Sequence, residues 1–183
     1  MKILLLANHF NTGGISTYLL TLIKGYVAQG HQVFVASSGG DCVAEAEALG
    51  ARHILVPGLR VKCACHPGLF AAAMALSRAV REQSIDILHA QTRVTQSVAA
   101  WVGVLSGRPY VSTCHGFFRA GIFRVLFPLW GRKVIAVSNP VVRHLTKDLW
   151  VSPSKVVLVP HGIDNRKFFP ATAQQYHALR ERF

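Results

Sequence analysis

Residues 2–36 read KILLLANHFNTGGISTYLLTLIKGYVAQGHQVFVA, and the fold follows from how their hydrophobic period changes. Lys2 to Ala7 is a short aliphatic run, suited to a strand buried on both faces. From Ile15 the apolar positions Ile15, Tyr18, Leu19, Leu22, Ile23, Tyr26 and Val27 form one stripe of an α-helix. Gly30 stands where a helix end must tolerate positive φ, and Val33 to Ala36 returns to strand. This is a strand–helix–strand unit.

The alternation continues outward. Asp41 is placed to cap a short helix running to Leu49 and stopped by Gly50, and His53 to Val56 is the third strand. Pro67 suits the first turn of a helix reaching about Gln83, followed by a strand from Asp86 to Ala90. Val94, Val98, Trp101, Val102 and Leu105 mark the next helix, ended by Gly107. Tyr110 to Thr113 and Lys133 to Val137 are the fifth and sixth strands. Asn139 with Pro140 forms an N-cap and N1 pair for a helix ending near Leu149, and Val156 to Val159 is the last strand. Strands separated by helices imply right-handed crossovers and an α/β, doubly wound, mostly parallel sheet of about seven strands, Rossmann-like. No repeat or compositional break divides residues 1–160.

Composition narrows the function classes. The 183 residues are 51% hydrophobic and 15% charged, with a mean hydropathy of +0.32, which excludes a disordered or low-complexity chain. No apolar run approaches the roughly eighteen residues of a membrane span, and the run ending at Ala7 is too short for a secretory leader. Cys42, Cys63, Cys65 and Cys114 are too few and irregular for a disulfide framework, so the expected compartment is the cytoplasm. Twenty Lys and Arg against eight Asp and Glu give a net charge of +12. From Ile87 to Lys147 there is no acidic residue, whereas Arg93, Arg108, Arg119, Arg124, Arg132, Lys133, Arg143 and Lys147 fall inside. Such a field favours an anionic partner.

Ligands of open α/β sheets bind beyond the carboxyl ends of the strands. Four loops belong there: 8–14, 37–40, 91–93 and 114–118. Gly13 and Gly14 at a helix start either let a phosphate or carboxylate approach free backbone N–H groups or serve a tight turn at positive φ. The loop lacks the G-x-G-x-x-G spacing, and the second strand ends in Ser37 and Ser38 instead of an acid, so an ordinary NAD dehydrogenase is not the expected function. His115, after the fifth strand and before Gly116, is placed to meet a ligand or to be a hydrogen-bonded loop residue. His89 lies within a strand, where burial is its expected role. Cys63-Ala64-Cys65-His66 lacks the second ligand pair of a structural zinc site, so no metal is expected. The aromatic and basic stretch 117–133 suits either an anionic membrane surface or a helix docked on the sheet. Arg119 and Arg124 lie roughly 140° apart on a helical wheel, which leaves no clean polar face. No nucleic-acid recognition module is legible, so nucleic acid is not an expected partner.

Together these motifs resemble a known family. Gly13-Gly14-Ile15-Ser16-Thr17-Tyr18, Gly30-His31-Gln32-Val33, Asp86-Ile87-Leu88-His89, Thr113-Cys114-His115-Gly116, Val134-Ile135-Ala136-Val137-Ser138 and His161-Gly162-Ile163-Asp164 are similar in kind and order to the retaining glycosyltransferases of family 4. The resemblance implies the N-terminal, acceptor-binding domain of the two-domain GT-B fold over residues 1–170. Residues 171–183 would be a helical segment leading to a C-terminal donor domain, supplied by the full-length chain or by a partner chain. With only Glu181 after Asp164, the family's E-x7-E carboxylates cannot lie in this sequence, so the chain alone should be inactive or nearly so.

The resemblance also implies residue roles. Gly14 would offer its N–H to the donor diphosphate, Gly13 would allow the approach, and His115 would contact the donor sugar as the catalytic residue. Gln91 and Arg93 would line the acceptor side. The family often has a second histidine where Gln91 stands, and His161 replaces a commoner Asn. The donor substrate would be a nucleotide-sugar and the acceptor a glycan or lipid-linked molecule. No cofactor or metal is implied, and the expected place of work is the cytoplasm, at the inner face of a membrane. The other reading open to the sequence is a non-catalytic basic module that holds an anionic membrane or an acidic partner.

Overall fold

The computed structural model describes residues 1–61, 63–64, 66–118, 121, 126–162, 176 and 180. Its seven strands lie in one sheet: β1 (Lys2–Leu6), β2 (Gln32–Ser37), β3 (Arg52–Leu55), β4 (Ile87–Ala90), β5 (Tyr110–Cys114), β6 (Val134–Ala136) and β7 (Val156–Leu158). Every pairing is parallel and the order is β3-β2-β1-β4-β5-β6-β7. The chain therefore winds outward from β1 in one direction and from β4 in the other. The switch point lies between β1 and β4.

The helices are α1 (Gly14–Ala28), α2 (Val43–Ala48), α3 (Gly68–Glu82), α4 (Arg93–Ser106) and α5 (Asn139–Arg143). They cover both faces, which explains why β1 has to be apolar without alternation. Leu4 and Leu6 pack with α3 and α4 through Leu76, Val80, Val98 and Val102. Ile3 and Leu5 point the other way, against Leu19 and Ile23 of α1. Each such side chain, taken fully out of water, contributes about 1.5–3 kcal/mol. A third cluster under β5 to β7 contains Trp130, Val134, Ala136, Val141 and Leu145.

Three local expectations are corrected. Asp41 does not cap α2; Cys42 occupies that position without a side-chain bond, because the Asp41 carboxylate accepts instead from Thr12. Ser138, not Asn139, caps α5: its backbone is extended and its hydroxyl accepts from the Val141 N–H at 3.4 Å. Pro67 precedes α3 instead of standing in its first turn. Beyond Arg143 the helix widens into an i→i+5 turn over His144–Asp148, with the Leu149 N–H on the His144 carbonyl at 3.1 Å. Residues 119–120 and 122–125 of the aromatic stretch, Cys65, Ile163 and Asp164, and most of 171–183 lie outside the described residues. None of the helices is long and apolar enough to cross a membrane, among the described residues.

Gly131 occupies a position where only glycine fits without strain. It has φ +81°, and a Cβ there would overlap the Tyr110 carbonyl, which already accepts from the Arg132 N–H at 2.9 Å. Gly25, inside α1, has open space and no positive φ. Gly131→Ala should cost about 2–4 kcal/mol of unfolding free energy, read from denaturant midpoints. Gly25→Ala should stabilise by up to about 1 kcal/mol. Equal effects would contradict the placement of the Trp130–Arg132 turn against β5.

Candidate functional site

With both faces covered, the loops after the strands collect at the carboxyl edge, and hydrogen bonds join them. The loop after β1 pairs with the loop after β2 through Phe10 N–H to the Gly39 carbonyl (2.9 Å) and Ser38 N–H to the Asn8 carbonyl (3.1 Å). Asn8 bridges further. Its amide nitrogen donates to the Val61 carbonyl at 3.1 Å, and its oxygen accepts a short hydrogen bond from the Thr92 hydroxyl. Thr92 in turn caps α4 in a reciprocal box with Thr95. The Asp41 carboxylate takes the Thr12 N–H at 2.6 Å and hydroxyl at 2.8 Å, and the Thr12 hydroxyl foremost holds its acid below the usual range.

Gly13 and Gly14 are not turn glycines. Gly13 is extended, with φ 164° and ψ 173°, and Gly14 begins α1 without positive φ. A Cβ on Gly14 would meet nothing within 4 Å, and one on Gly13 would meet only the Asn11 carbonyl at 3.9 Å. No side chain caps α1, so its first N–H groups face an open cleft of about 190 Å³, lined by Asn8, His9, Asn11, Gly13, Gly14 and Thr92 among others. The space where side chains would be is left to the cleft. Orphan N–H groups at a 15-residue helix start favour an anion there.

One turn into α1, Tyr18 sets its ring against two imidazoles: His115 at 5.0 Å and 81°, and His161 at 4.8 Å and 86°. The two imidazoles stack at 5.8 Å and 15°. Burial first, and then the neighbouring His161, push the His115 pKa down to about 4. Beneath them, His89 is 3% exposed, bonds Thr113 through Nε2 at 2.7 Å, and is likewise pushed to about 4 by burial and by His115. Tyr18 is raised, chiefly by desolvation, with the Thr113 hydroxyl opposing. His89 and His115 are thus uncharged near neutral pH.

Gln91 is 3% exposed, and its amide lies between His115 and the strand. Its NH2 faces the His89 carbonyl at 3.5 Å, an atom that can only accept. Its Oε1 therefore faces His115 Nε2 at 2.9 Å, which must carry the proton and leave Nδ1 as an acceptor. Arg93, at the start of α4, donates to the Phe127 carbonyl at 2.6 Å and reaches the Gln96 amide oxygen at 3.5 Å. The loop bearing His115 is anchored from the far side, where the Phe118 N–H donates to His144 Nε2 at 3.0 Å and His144 Nδ1 holds Asp148 at 2.7 Å. Cys63 and His66 join no group of three or more metal-ligating side chains among the described residues, and the His66 Nδ1 accepts from the Gly68 N–H at 3.1 Å.

The structure thus gathers Gly13, Gly14, Gln91, His115 and, at α4, Arg93 along one edge. It adds Tyr18, which the sequence presented as a stripe residue and as the end of a family motif, and the loop residues Asn8 and Thr92. Asn8, the first polar residue after β1, was the available signal for the loop bridge. Nothing local marked the meeting of Tyr18 with His161.

In the unfolded chain His89 and His115 titrate near 6.5, so between pH 6.5 and about 4 the unfolded state takes up protons that the folded state refuses. Stability is complete above that window and falls as pH is lowered through it. Nitrogen-15 spectra of the imidazoles should show both neutral down to about pH 4, with His115 protonated on Nε2, and Gln91→Ala should abolish that tautomer preference. A His115 that titrates near 6.5 in the folded chain would contradict the geometry.

The fold recurs in solved structures of low sequence identity. A glycosyltransferase from Rickettsia africae matches with a TM-score of 0.81 at 20% identity, over 99% of this chain and 48% of its own. Anabaena HepE, solved with UDP and glucose, matches with 0.76 at 19%, over 100% and 50%. MurG of Acinetobacter baumannii matches with 0.61 at 15%, over 89% and 46%. The chain spans about half the length of these structures. No curated protein sequence matches it. The sequence model described as Glycosyltransferase Family 4 matches residues 12–167, from the loop before Gly13 through β7 and beyond His161, and the chain belongs to that family.

Proposed function

We propose that this chain forms the acceptor side of a retaining glycosyltransferase that moves a sugar from a nucleotide-sugar to a glycan or lipid-linked acceptor. The observation that carries the reading is the meeting across Tyr18 of the open α1 N-terminus with the neutral His115. Gly14 gives its N–H to the donor diphosphate, and Gly13 keeps the approach clear. His115 offers Nδ1 to a hydroxyl of the donor sugar without gaining charge. Gln91 and Arg93 line the acceptor side, and the Gln91 amide oxygen also orients His115. HepE, solved with UDP and glucose, supports a nucleoside diphosphate sugar as donor. The remaining donor contacts come from a second domain, in the full-length chain or a partner chain, and these residues alone turn over little or nothing. The step uses no metal and no protein nucleophile. Work at the cytoplasmic face of a membrane suits a lipid-linked acceptor.

A second reading has one specific support. Phe117, Phe118, Leu126 and Phe127 are exposed in the stretch read as a membrane contact, although Trp130 is buried at 2% exposure. On a chain of net charge +12 these side chains suit a non-catalytic module on an anionic membrane.

The test is a reconstitution. In the enzyme assembled with a donor domain, His115→Ala should lower kcat by about a hundredfold or more, well beyond its effect on thermal stability. Unchanged turnover removes His115 from the reaction. Salt-sensitive sedimentation of the 183-residue chain with anionic vesicles, without transfer in the presence of any donor domain, replaces the first reading with the second.

A further inference from the structure

Beside the glycine cleft lies a second cavity, of about 220 Å³, lined by His9, Asn11, Ser38, Gly39, Gly40 and Arg60. The two share His9 and Asn11, so the loop after β1 forms a wall of both. The chemistry of this second lining is one-sided. The Arg60 side chain makes no hydrogen bond or ion pair with any described residue, and neither does the Ser38 hydroxyl or the Gly40 N–H. His9 accepts the Asn11 N–H at Nδ1, at 3.4 Å, which leaves its Nε2 to carry a proton outward.

No carboxylate lines the cavity. The nearest in sequence, Asp41, has its oxygens committed to the Thr12 N–H and hydroxyl. Gly40 itself is accounted for by packing, since a Cβ there would overlap the Phe10 backbone. The uncommitted donors have no such structural account. A guanidinium with hydroxyl, imidazole and amide donors around a small polar cavity matches a tetrahedral or planar oxyanion.

We infer that the His9–Ser38–Gly40–Arg60 cavity binds an anionic group, phosphate or carboxylate, carried by the acceptor. The inference rests on the transferase reading and adds a substrate class to it: an acceptor with its charge set to one side of the hydroxyl that receives the sugar. Guanidinium recognition of either group is bidentate, which would fix the acceptor's orientation as well as its affinity.

The experiment is an amide-resolved NMR titration of the 183-residue chain with three probes: inorganic phosphate, glycerol phosphate and glucuronate. Signals of Ser38, Gly39 and Gly40 should move with at least one probe. Arg60→Ala should weaken that response about tenfold, the loss of one charge-assisted contact, while Arg60→Lys retains part of it. A response to the phosphates alone assigns a phosphorylated acceptor, and one to glucuronate alone an acidic sugar. Arg60 is exposed, so the Ala variant should keep the wild-type spectrum elsewhere. Shifts spread over Arg93, Arg132 and Arg143 instead, or a response that Arg60→Ala leaves unchanged, overturn the inference. A parallel UDP titration read at Gly13 and Gly14 separates the two claims. Its failure, with the phosphate or glucuronate response intact, counts against the donor reading and not against this cavity.

Discussion

Parallel strands impose a single constraint from which the rest of this molecule follows. Each crossover must return over a face of the sheet, so both faces are covered and every strand ends at the same edge. β1 meets the constraint with Leu4 and Leu6 on one side and Ile3 and Leu5 on the other. The loops left at the carboxyl edge cannot be buried by helices, and they satisfy their polar groups by bonding to one another. Asn8, seated at the switch between β1 and β4, reaches both the β3–α3 connection and the cap of α4. That bridge ties the glycine loop to its neighbours on both sides.

Electrostatics at the edge runs against the whole-chain charge. The protein carries a net charge of +12, yet His89 and His115 at this edge are held toward their neutral forms, by burial first and then by a neighbouring imidazole. Positive potential is supplied there by backbone N–H groups of α1, which need no desolvation of a side-chain cation. Arg60 and Arg93 stand to the sides. A site arranged in this way discriminates by hydrogen-bond direction near the glycines and by charge at its margins.

The sheet was legible because its signals are local and redundant. The change of period at Ile15, the C-terminal Gly30 at φ +78°, and the apolar runs each stand on a few neighbouring residues. Where the sequence misled, a distant partner had intervened. Asp41 has the chemistry of a helix cap, but Thr12 offers its carboxylate two donors where α2 offers one, and the loop wins. Gly13 and Gly14 left a turn and a ligand approach equally open, and only their dihedrals and the empty space around Gly14 separate the two. The stacking of His161 on His115 under Tyr18 had no local signature, because it joins α1, the loop after β5 and the segment after β7. The strand-end rule and the family resemblance both brought His115 forward, while the geometry assigned its proton to Nε2.

The central claim is that the bare start of α1 receives a nucleoside diphosphate at the edge where His115 stands. A crystal structure of the chain soaked with UDP tests it most directly. The account predicts a diphosphate oxygen about 3 Å from the Gly14 nitrogen, with the Tyr18–His115–His161 ring contacts preserved. A diphosphate held elsewhere on the basic surface, with the cleft at Gly14 empty or closed by the 8–14 loop, would contradict it.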